Sequence, residues 1–236
     1  MAESTAFRVR MVKWLLAGVF VLMTFTIIDH AAGRPYWPIS RTFTYGHEGN
    51  LPTWYSSLLL AIGGVAAWRC YRLAKSNGWR RAWTLGAFAA LLWFMSCDEV
   101  SQFHEGLGKY AARFVGVADK SYALNSPWVW VFGPLILLAF LAFIVALWEL
   151  LGRAKGCRRL LLLGLGSIVL GGILVEGTIN FLDHQRFQAI WTHEVIPEET
   201  LEMIGSVLLI YTFVRWETSV QAAKARGKSA TLAAVK

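Results

Sequence analysis

The sequence predicts an all-α fold, a polytopic membrane bundle of six transmembrane helices with a short interfacial helix between the third and the fourth. Hydrophobic residues make up 56% of the 236 residues and charged residues only 16%, which is typical of membrane proteins. Apolar runs of membrane-spanning length recur along the chain, and basic residues cluster between them. Because topology accounts for the net charge of +8, nucleic-acid binding is not expected.

Each predicted span is an apolar run bounded by a charged or helix-breaking residue. The first, Trp14 to Ile28, resembles a signal peptide but is interpreted as a retained helix. The others are Pro52 to Tyr71, Ala82 to Cys97, Pro127 to Trp148, Leu160 to Leu182 and Pro197 to Trp216. Between the third and fourth, Phe103, Leu107, Tyr110 and Phe114 recur at helical spacing opposite Lys109 and Arg113, as expected of a helix lying on the bilayer.

The basic residues predict the orientation of the bundle. The N-terminus, two basic loops and the C-terminal tail hold 17 of the 23 lysines and arginines, so these segments are expected on the cytoplasmic side. Residues 1–216 would then form one transmembrane domain with both termini in the cytoplasm. Residues 217–236, rich in alanine and lysine, are predicted to be a disordered basic tail.

Acids and histidines gather on the opposite side of this topology. All five histidines and 12 of the 15 acidic residues fall on the predicted outer half. His30, Asp98, Glu176 and Glu198 each lie 17 residues from a cytoplasmic basic residue, which places them roughly 25 Å above the cytoplasmic boundary. Glu202 lies one turn deeper. Ionisable groups at such depth usually mark a functional site.

The spacing also predicts which side chains share a helix face. Glu176, Asn180, Asp183 and His184 follow helical spacing on the fifth span, and Asp98, Gln102 and Glu105 share a stripe on the third. His104 would point elsewhere in an unbroken helix. It joins the others only if the chain bends, which Gly106 and Gly108 permit.

Carboxylates with imidazoles in a bundle are the ligand set of zinc, iron or manganese. The predicted metal ligands are Asp98, His104, Glu105, Glu176, Asp183, His184 and Glu202. The prediction rests on composition and geometry, because neither HExxH nor a paired Glu-x-x-His is present. An internal hydrogen-bond network is the alternative, and Glu198 and Glu199 are equally well explained as the acidic start of a helix.

Asp98-Glu99, His104-Glu105, Glu176 and the segment from Glu198 to Gly205 together resemble a pattern in uncharacterised bacterial multi-pass membrane proteins. The resemblance covers about a third of the chain. It supports the site and implies no activity. The His-x-x-x-His pair of ceramidase and adiponectin-receptor-like hydrolases is absent.

The first functional prediction is an inner-membrane protein of a bacterium with a divalent-metal site facing the periplasm. It would be a metal-dependent hydrolase or oxidoreductase acting on a lipid or other apolar substrate, with Glu99, Glu176 and Glu202 as candidates for proton transfer. The alternative is a non-catalytic accessory subunit of a larger membrane complex, whose cluster binds a cofactor or fixes packing. The expected partners are membrane lipids and, under this alternative, other subunits. A proton-coupled transporter is less favoured because no inverted repeat is visible.

Overall fold

The regular structure is entirely helical in the part of the chain that the computed structural model describes, residues 2–46, 49–114, 116, 127–179 and 193–234. This confirms the all-α prediction for those residues. The helices are α1 (Ala2–Ala31), α2 (Trp37–Phe43), α3 (Leu51–Ser76), α4 (Ala82–Ser101), α5 (Phe103–Phe114), α6 (Pro127–Leu151), α7 (Cys157–Val169), a π-helical turn (Leu170–Val175), α8 (Glu176–Ile179) and α9 (Val195–Ala234).

Within the described part of the chain, three stretches are long and apolar enough to cross a membrane, Arg10–Ala31, Pro127–Leu151 and Cys157–Thr178. They expose large apolar side chains that lipid would cover, among them Trp14 at 76%, Val145 at 70% and Leu138 at 63%. The chain therefore has the character of a membrane protein. The other three predicted spans fall on α3, α4 and α9, and the count of six remains a prediction.

Helix α9 is the central element of the bundle. It packs against α7, α3 and α1, while α3 and α4 form a tightly packed hairpin. One core joins Leu85, Phe88, Leu147, Phe213 and Trp216, and a second joins Val19, Leu59, Met203 and Ile210. Because both cores include one face of α9, this helix is buried along much of its length.

Glycines bring α7 and α9 into backbone contact. A Cβ atom on Gly205 would lie 2.6 Å from the carbonyl oxygen of Gly164, and one on Gly164 would lie 3.1 Å from the carbonyl oxygen of Gly205. Small residues at such a crossing are the usual way in which membrane helices approach closely. The same contact places the polar end of α9 beside the π-helical turn.

Several boundaries differ from the sequence prediction. The loop predicted between the first two spans contains α2, which begins with Pro38 in its first turn. Helix α9 continues past Trp216 to Ala234, where a disordered tail was predicted. The first turn of this continuation is packed, because Glu217 is 6% exposed and pairs with Arg8 and Arg69.

Candidate functional site

A cavity of about 530 Å³ lies among α3, α4, α5, α6, the π-helical turn and α9. Six of the eight predicted site residues line it, namely Asp98, Glu99, His104, Glu105, Glu176 and Glu202. The other two, Asp183 and His184, lie outside the described residues. The structure thus brings together the predicted residues of the third, fifth and sixth spans, while their chemical roles remain predictions.

The bend that brings His104 to the site is at Gln102, not at a glycine. Helix α4 ends at Ser101, and Gln102 adopts a left-handed conformation with φ of 53° before α5 begins at Phe103. Gly106 and Gly108 both lie within α5. Gly108 has a different function, because a Cβ there would lie 2.6 Å from the Cα of Trp128, so its absence lets α5 pack on α6.

Asp98 and His104 form a closely bonded pair across this bend. The backbone N–H of His104 donates to Asp98 Oδ1 at 2.9 Å, and its ring Nδ1 lies 2.6 Å from Asp98 Oδ2. Both carboxylate oxygens of Asp98 therefore hold His104. With the Nδ1 proton shared with Asp98, the second ring nitrogen, Nε2, is left to accept a proton or to bind a ligand.

The environment of His104 favours its charged form. Burial alone would lower the pKa of the imidazole, but its hydrogen bond to Asp98 and the negative charges of Asp98, Glu105 and Glu176 outweigh burial, so the pKa of His104 is raised. His104 is consequently a stronger base than an ordinary histidine, as a proton-transfer group in this cavity requires.

Glu176 reaches the same region through the π-helical turn that precedes it. Trp128 Nε1 donates a hydrogen bond to Glu176 Oε1 at 3.0 Å, and the Trp128 ring stands edge-on to the His104 ring at 4.7 Å between centroids. A π-helical turn inside an α-helix often occurs at a functional site. Only 9% of Trp128 is exposed, and the sequence offers no signal for its contact with Glu176.

Helix α9 contributes the deepest carboxyl. Glu202 lies against the glycines of the π-helical turn, since a Cβ on Gly171 would be 3.0 Å from Glu202 Cγ and one on Gly172 would collide with Glu202 Oε1. Glu198 and Glu199 also line the cavity, so these residues form part of the cavity wall as well as the start of α9. Glu198 and Glu202 are four residues apart, so they share one face of α9.

Glu194, one turn before Glu198, is a further acidic residue that the predicted site omitted. Its Oε2 atom is buried and accepts no hydrogen bond from the residues that the structure describes. Burial, assisted by the negative charge of Glu176, raises the pKa of Glu194 to about 7. Glu194 therefore changes charge close to neutral pH, directly before the first residue of α9.

The cavity is strongly acidic overall. Seven carboxyl residues line it, Asp98, Glu99, Glu105, Glu176, Glu198, Glu199 and Glu202, and the described lining contains neither lysine nor arginine. Like charges at this density repel one another unless protons or a cation reduce the net charge. Glu105 is partly compensated by Lys109, at 3.0 Å.

The described residues do not form a complete metal centre. Among them, no three His, Cys, Asp or Glu side chains come together as a group that could hold a metal ion. The donor types, carboxylate oxygens with one imidazole nitrogen, still match the preferences of zinc, iron and manganese. Both carboxylate oxygens of Asp98 are hydrogen-bonded to His104, so this carboxylate is better suited to orienting the ring than to binding a metal directly.

His30 was predicted at the level of Asp98 and Glu176, but it does not line the cavity. Its ring instead contacts His193, at 3.1 Å between the two Nδ1 atoms. His47, which was predicted to lie on the outer side, is outside the described residues.

The comparisons with known proteins add a family and no activity. The family model of a domain of unknown function, DUF8692, matches residues 12–216, which include every described residue that lines the cavity. No curated protein and no solved structure matches the chain.

Proposed function

We propose that this chain, which belongs to the family of the domain of unknown function DUF8692, is a membrane enzyme that draws an apolar molecule from the bilayer into its acidic cavity. Proton transfer at the bound molecule is assigned to His104, with Asp98 as the positioning residue and Glu99, Glu176 and Glu202 as further proton carriers. The single observation that carries the proposal is the hydrogen-bonded Asp98–His104 pair facing a large acidic cavity.

The Asp98–His104 geometry supports a base at a defined position. A carboxylate that holds Nδ1 fixes both the tautomer and the orientation of an imidazole, which leaves Nε2 with a lone pair. Since Asp98 also binds the backbone N–H of His104, the ring and its main chain are held together. Such pre-organisation is what separates a proton-transfer histidine from a merely buried one.

The cavity walls support an apolar substrate. Phe94 of α4 and Leu135 of α6 line the cavity and expose 57% and 60% of their surfaces. Both helices are predicted spans, so these side chains would meet lipid. A cavity with such walls and polar groups on one side is suited to a molecule with an apolar body and a polar reactive group.

A divalent metal ion, zinc, iron or manganese, is part of the proposal. Glu176 and Glu202 would supply carboxylate ligands, while Nε2 of His104 is kept for proton transfer. Because no three described His, Cys, Asp or Glu side chains come together as a metal group, further ligands would be needed to complete the coordination. When bound, the ion would supply Lewis-acid activation of water or oxygen. What supports this is the chemistry of the donors and the density of negative charge, which a cation would relieve.

Metal content of the purified full-length protein tests the cofactor. We expect stoichiometric metal in the wild type, a large loss in Glu176→Gln, and no loss in Glu149→Gln, because Glu149 is an exposed surface carboxylate on α6 with a side chain 64% exposed. Wild-type protein that binds no divalent ion from metal-supplemented buffer would refute the metal. The assignment of His104 as a base would then be tested separately.

Native mass spectrometry of protein extracted from membranes tests the apolar substrate. Ala139 lines the cavity, whereas Ala142 on the same helix is exposed and is absent from the lining. Ala139→Phe should therefore remove a co-purifying apolar molecule, and Ala142→Phe should retain it. The proposal fails if both variants and the wild type carry the same complement of lipids.

The accessory-subunit alternative is favoured by one surface. Around the short helix α2, Tyr36, Trp37 and Ile39 expose 68%, 55% and 46% of their surfaces outside the predicted spans. Such an apolar surface fits a protein partner. Stoichiometric co-purification of another subunit that is lost in Trp37→Ser would favour this second function.

A further inference from the structure

Two histidines join the end of α1 to the start of α9. His30 Nδ1 lies 3.1 Å from His193 Nδ1, and Arg34 Nη2 lies 2.5 Å from His30 Nε2. The two rings are 5.3 Å apart between centroids. Arg34, His30 and His193 thus form one continuous chain of hydrogen bonds, which we call the histidine junction.

The direction of every proton in the histidine junction follows from the arginine. A guanidinium group only donates, so His30 Nε2 must be an acceptor and the His30 proton must be on Nδ1. His30 Nδ1 then donates to His193 Nδ1, which leaves the His193 proton on Nε2. The two hydrogen bonds can form together only when both rings are neutral, each as one tautomer.

From this geometry we propose that the histidine junction is an acid-sensitive latch, which holds α1 against α9 while both imidazoles are neutral and opens when protons are taken up. A protonated His193 has no lone pair to accept from His30, and a protonated His30 has none to accept from Arg34. Protonating both rings would also place two positive charges beside the guanidinium of Arg34. Acid therefore removes the bonds and adds repulsion.

The latch lies at the rim of the cavity. His193 is two residues before Val195, which lines the cavity, and a Cβ on Gly46, another lining residue, would lie 3.4 Å from the Val195 side chain. Opening the junction would free the start of α9 next to this contact. The effect on ligand entry rests on the proposed function, whereas the latch itself does not.

Among the described residues, the charged groups nearest the pair along the chain come from the end of α1 and the start of α9. From the end of α1, Asp29 accepts hydrogen bonds from the hydroxyls of Ser40 and Thr44, and Arg34 is already part of the junction. From the start of α9, Glu194 follows His193 directly and has a pKa raised to about 7 by burial and by Glu176. Glu194 also gains a proton on acidification, so the test must separate its contribution.

Proton linkage sets the size of the effect. If opening takes up one proton, the ratio of open to closed junction rises by up to about tenfold for each unit that the pH falls below the ordinary pKa of an exposed histidine. If both imidazoles gain protons, the dependence is steeper. Hydrogen exchange of backbone amides reports this ratio directly, because amides near an open junction lose protection.

The experiment compares exchange in the full chain at about pH 7.5 and about pH 5.5, the range in which histidine titrates. The backbone amides of Ala32, Gly33, Arg34 and Glu198 are hydrogen-bonded in the structure. After correction for intrinsic rates, they should lose protection on acidification while α3 does not.

His193→Gln should abolish the response at the start of α9, since the amide oxygen does not titrate and accepts from His30 Nδ1–H whether or not His30 is protonated. A response near Arg34 is retained, because protonated His30 still releases the guanidinium group. His193→Lys should be open at both pH values, since an ammonium group cannot accept.

Two further results separate the explanations. Glu194→Gln should retain most of the acid response if the histidines are the sensor, and a loss of the response in this variant would assign it to Glu194. An acid response in His193→Gln equal to that of the wild type would overturn the latch. Because none of these measurements needs substrate or metal, failure of the proposed function leaves their result intact.

Discussion

Glu217 joins three helices at the end of the bundle opposite the cavity, and replacing it should destabilise the protein far more than replacing a surface glutamate. Its side chain is 7% exposed. Arg8 Nη1 donates to it at 2.7 Å and Arg69 Nη2 at 3.0 Å, and Gln221 adds a bond at 3.1 Å. Helices α1 and α3 are thereby tied to α9.

The expected loss follows from burial. Removing one partner of a buried ion pair typically destabilises a protein by about 3–5 kcal/mol. The side chain of Arg69 is 49% exposed and can turn to water, so solvent screening reduces its contribution to the stability of the ion pair. For Glu217→Gln we therefore expect about 2–4 kcal/mol, a decrease in Tm of roughly 4–16 °C for a chain of this length.

Glu149 provides the matched control. It also lies near two arginines, Arg81 and Arg153, but each distance is 3.9 Å and its side chain is 64% exposed. Glu149→Gln should change stability by about 0.5 kcal/mol or less. Thermal unfolding in detergent, followed by tryptophan fluorescence, measures both variants. Equal shifts in Tm would refute the argument that burial, rather than charge pairing, decides the difference.

Three further predictions concern the site. Asp98→Asn should lower the pKa of His104, because the imidazolium loses its charged partner, and NMR titration of the ring measures this. Glu194 has its pKa raised from 4.5 to about 7, so the folded protein should lose stability as pH rises through this range. Glu194→Gln should remove this loss, on the order of 1 kcal/mol after allowance for solvent screening, as Tm values at both ends of the range would show. Gly108→Ala should destabilise by about 1–3 kcal/mol because the start of α6 occupies the space, whereas Gly106→Ala, which meets nothing within 4 Å, should be neutral or slightly stabilising in the same melts.

The sequence predicted the helices better than their interruptions. Apolar runs and flanking breakers located α3, which has Pro52 in its first turn, and α4, which begins at Ala82 as predicted. The end of α4 was missed because Gln102 is left-handed without being glycine, and intrinsic preference does not indicate that conformation. The π-helical turn has no sequence signature either, since its hydrogen bonds depend on the packing of α9 against its glycines.

The site was predicted in part for a physical reason. Depth along a helix can be counted from the sequence at a fixed rise per residue, and this brought Asp98, Glu176 and Glu202 to one region. Counting residues does not give the rotation of one helix relative to another, nor does it give the side-chain contacts between helices. It therefore placed His30 with the group, although His30 meets His193, and it missed Trp128, whose indole binds Glu176.

The paired glycines of α7 and α9 have a consequence for how this cavity can vary. The main chains of α7 and α9 touch at Gly164 and Gly205, so neither helix can shift along the other without a steric clash. This contact fixes the positions of Glu176 and Glu202 relative to each other along the helix axes. Under the proposed function, ligands of different width would be accommodated on the apolar side of the cavity, which Phe94 of α4 and Leu135 of α6 line. If related proteins bind different molecules, we expect the changes at positions such as Phe94 and Leu135, while the carboxyl groups that line the cavity stay the same.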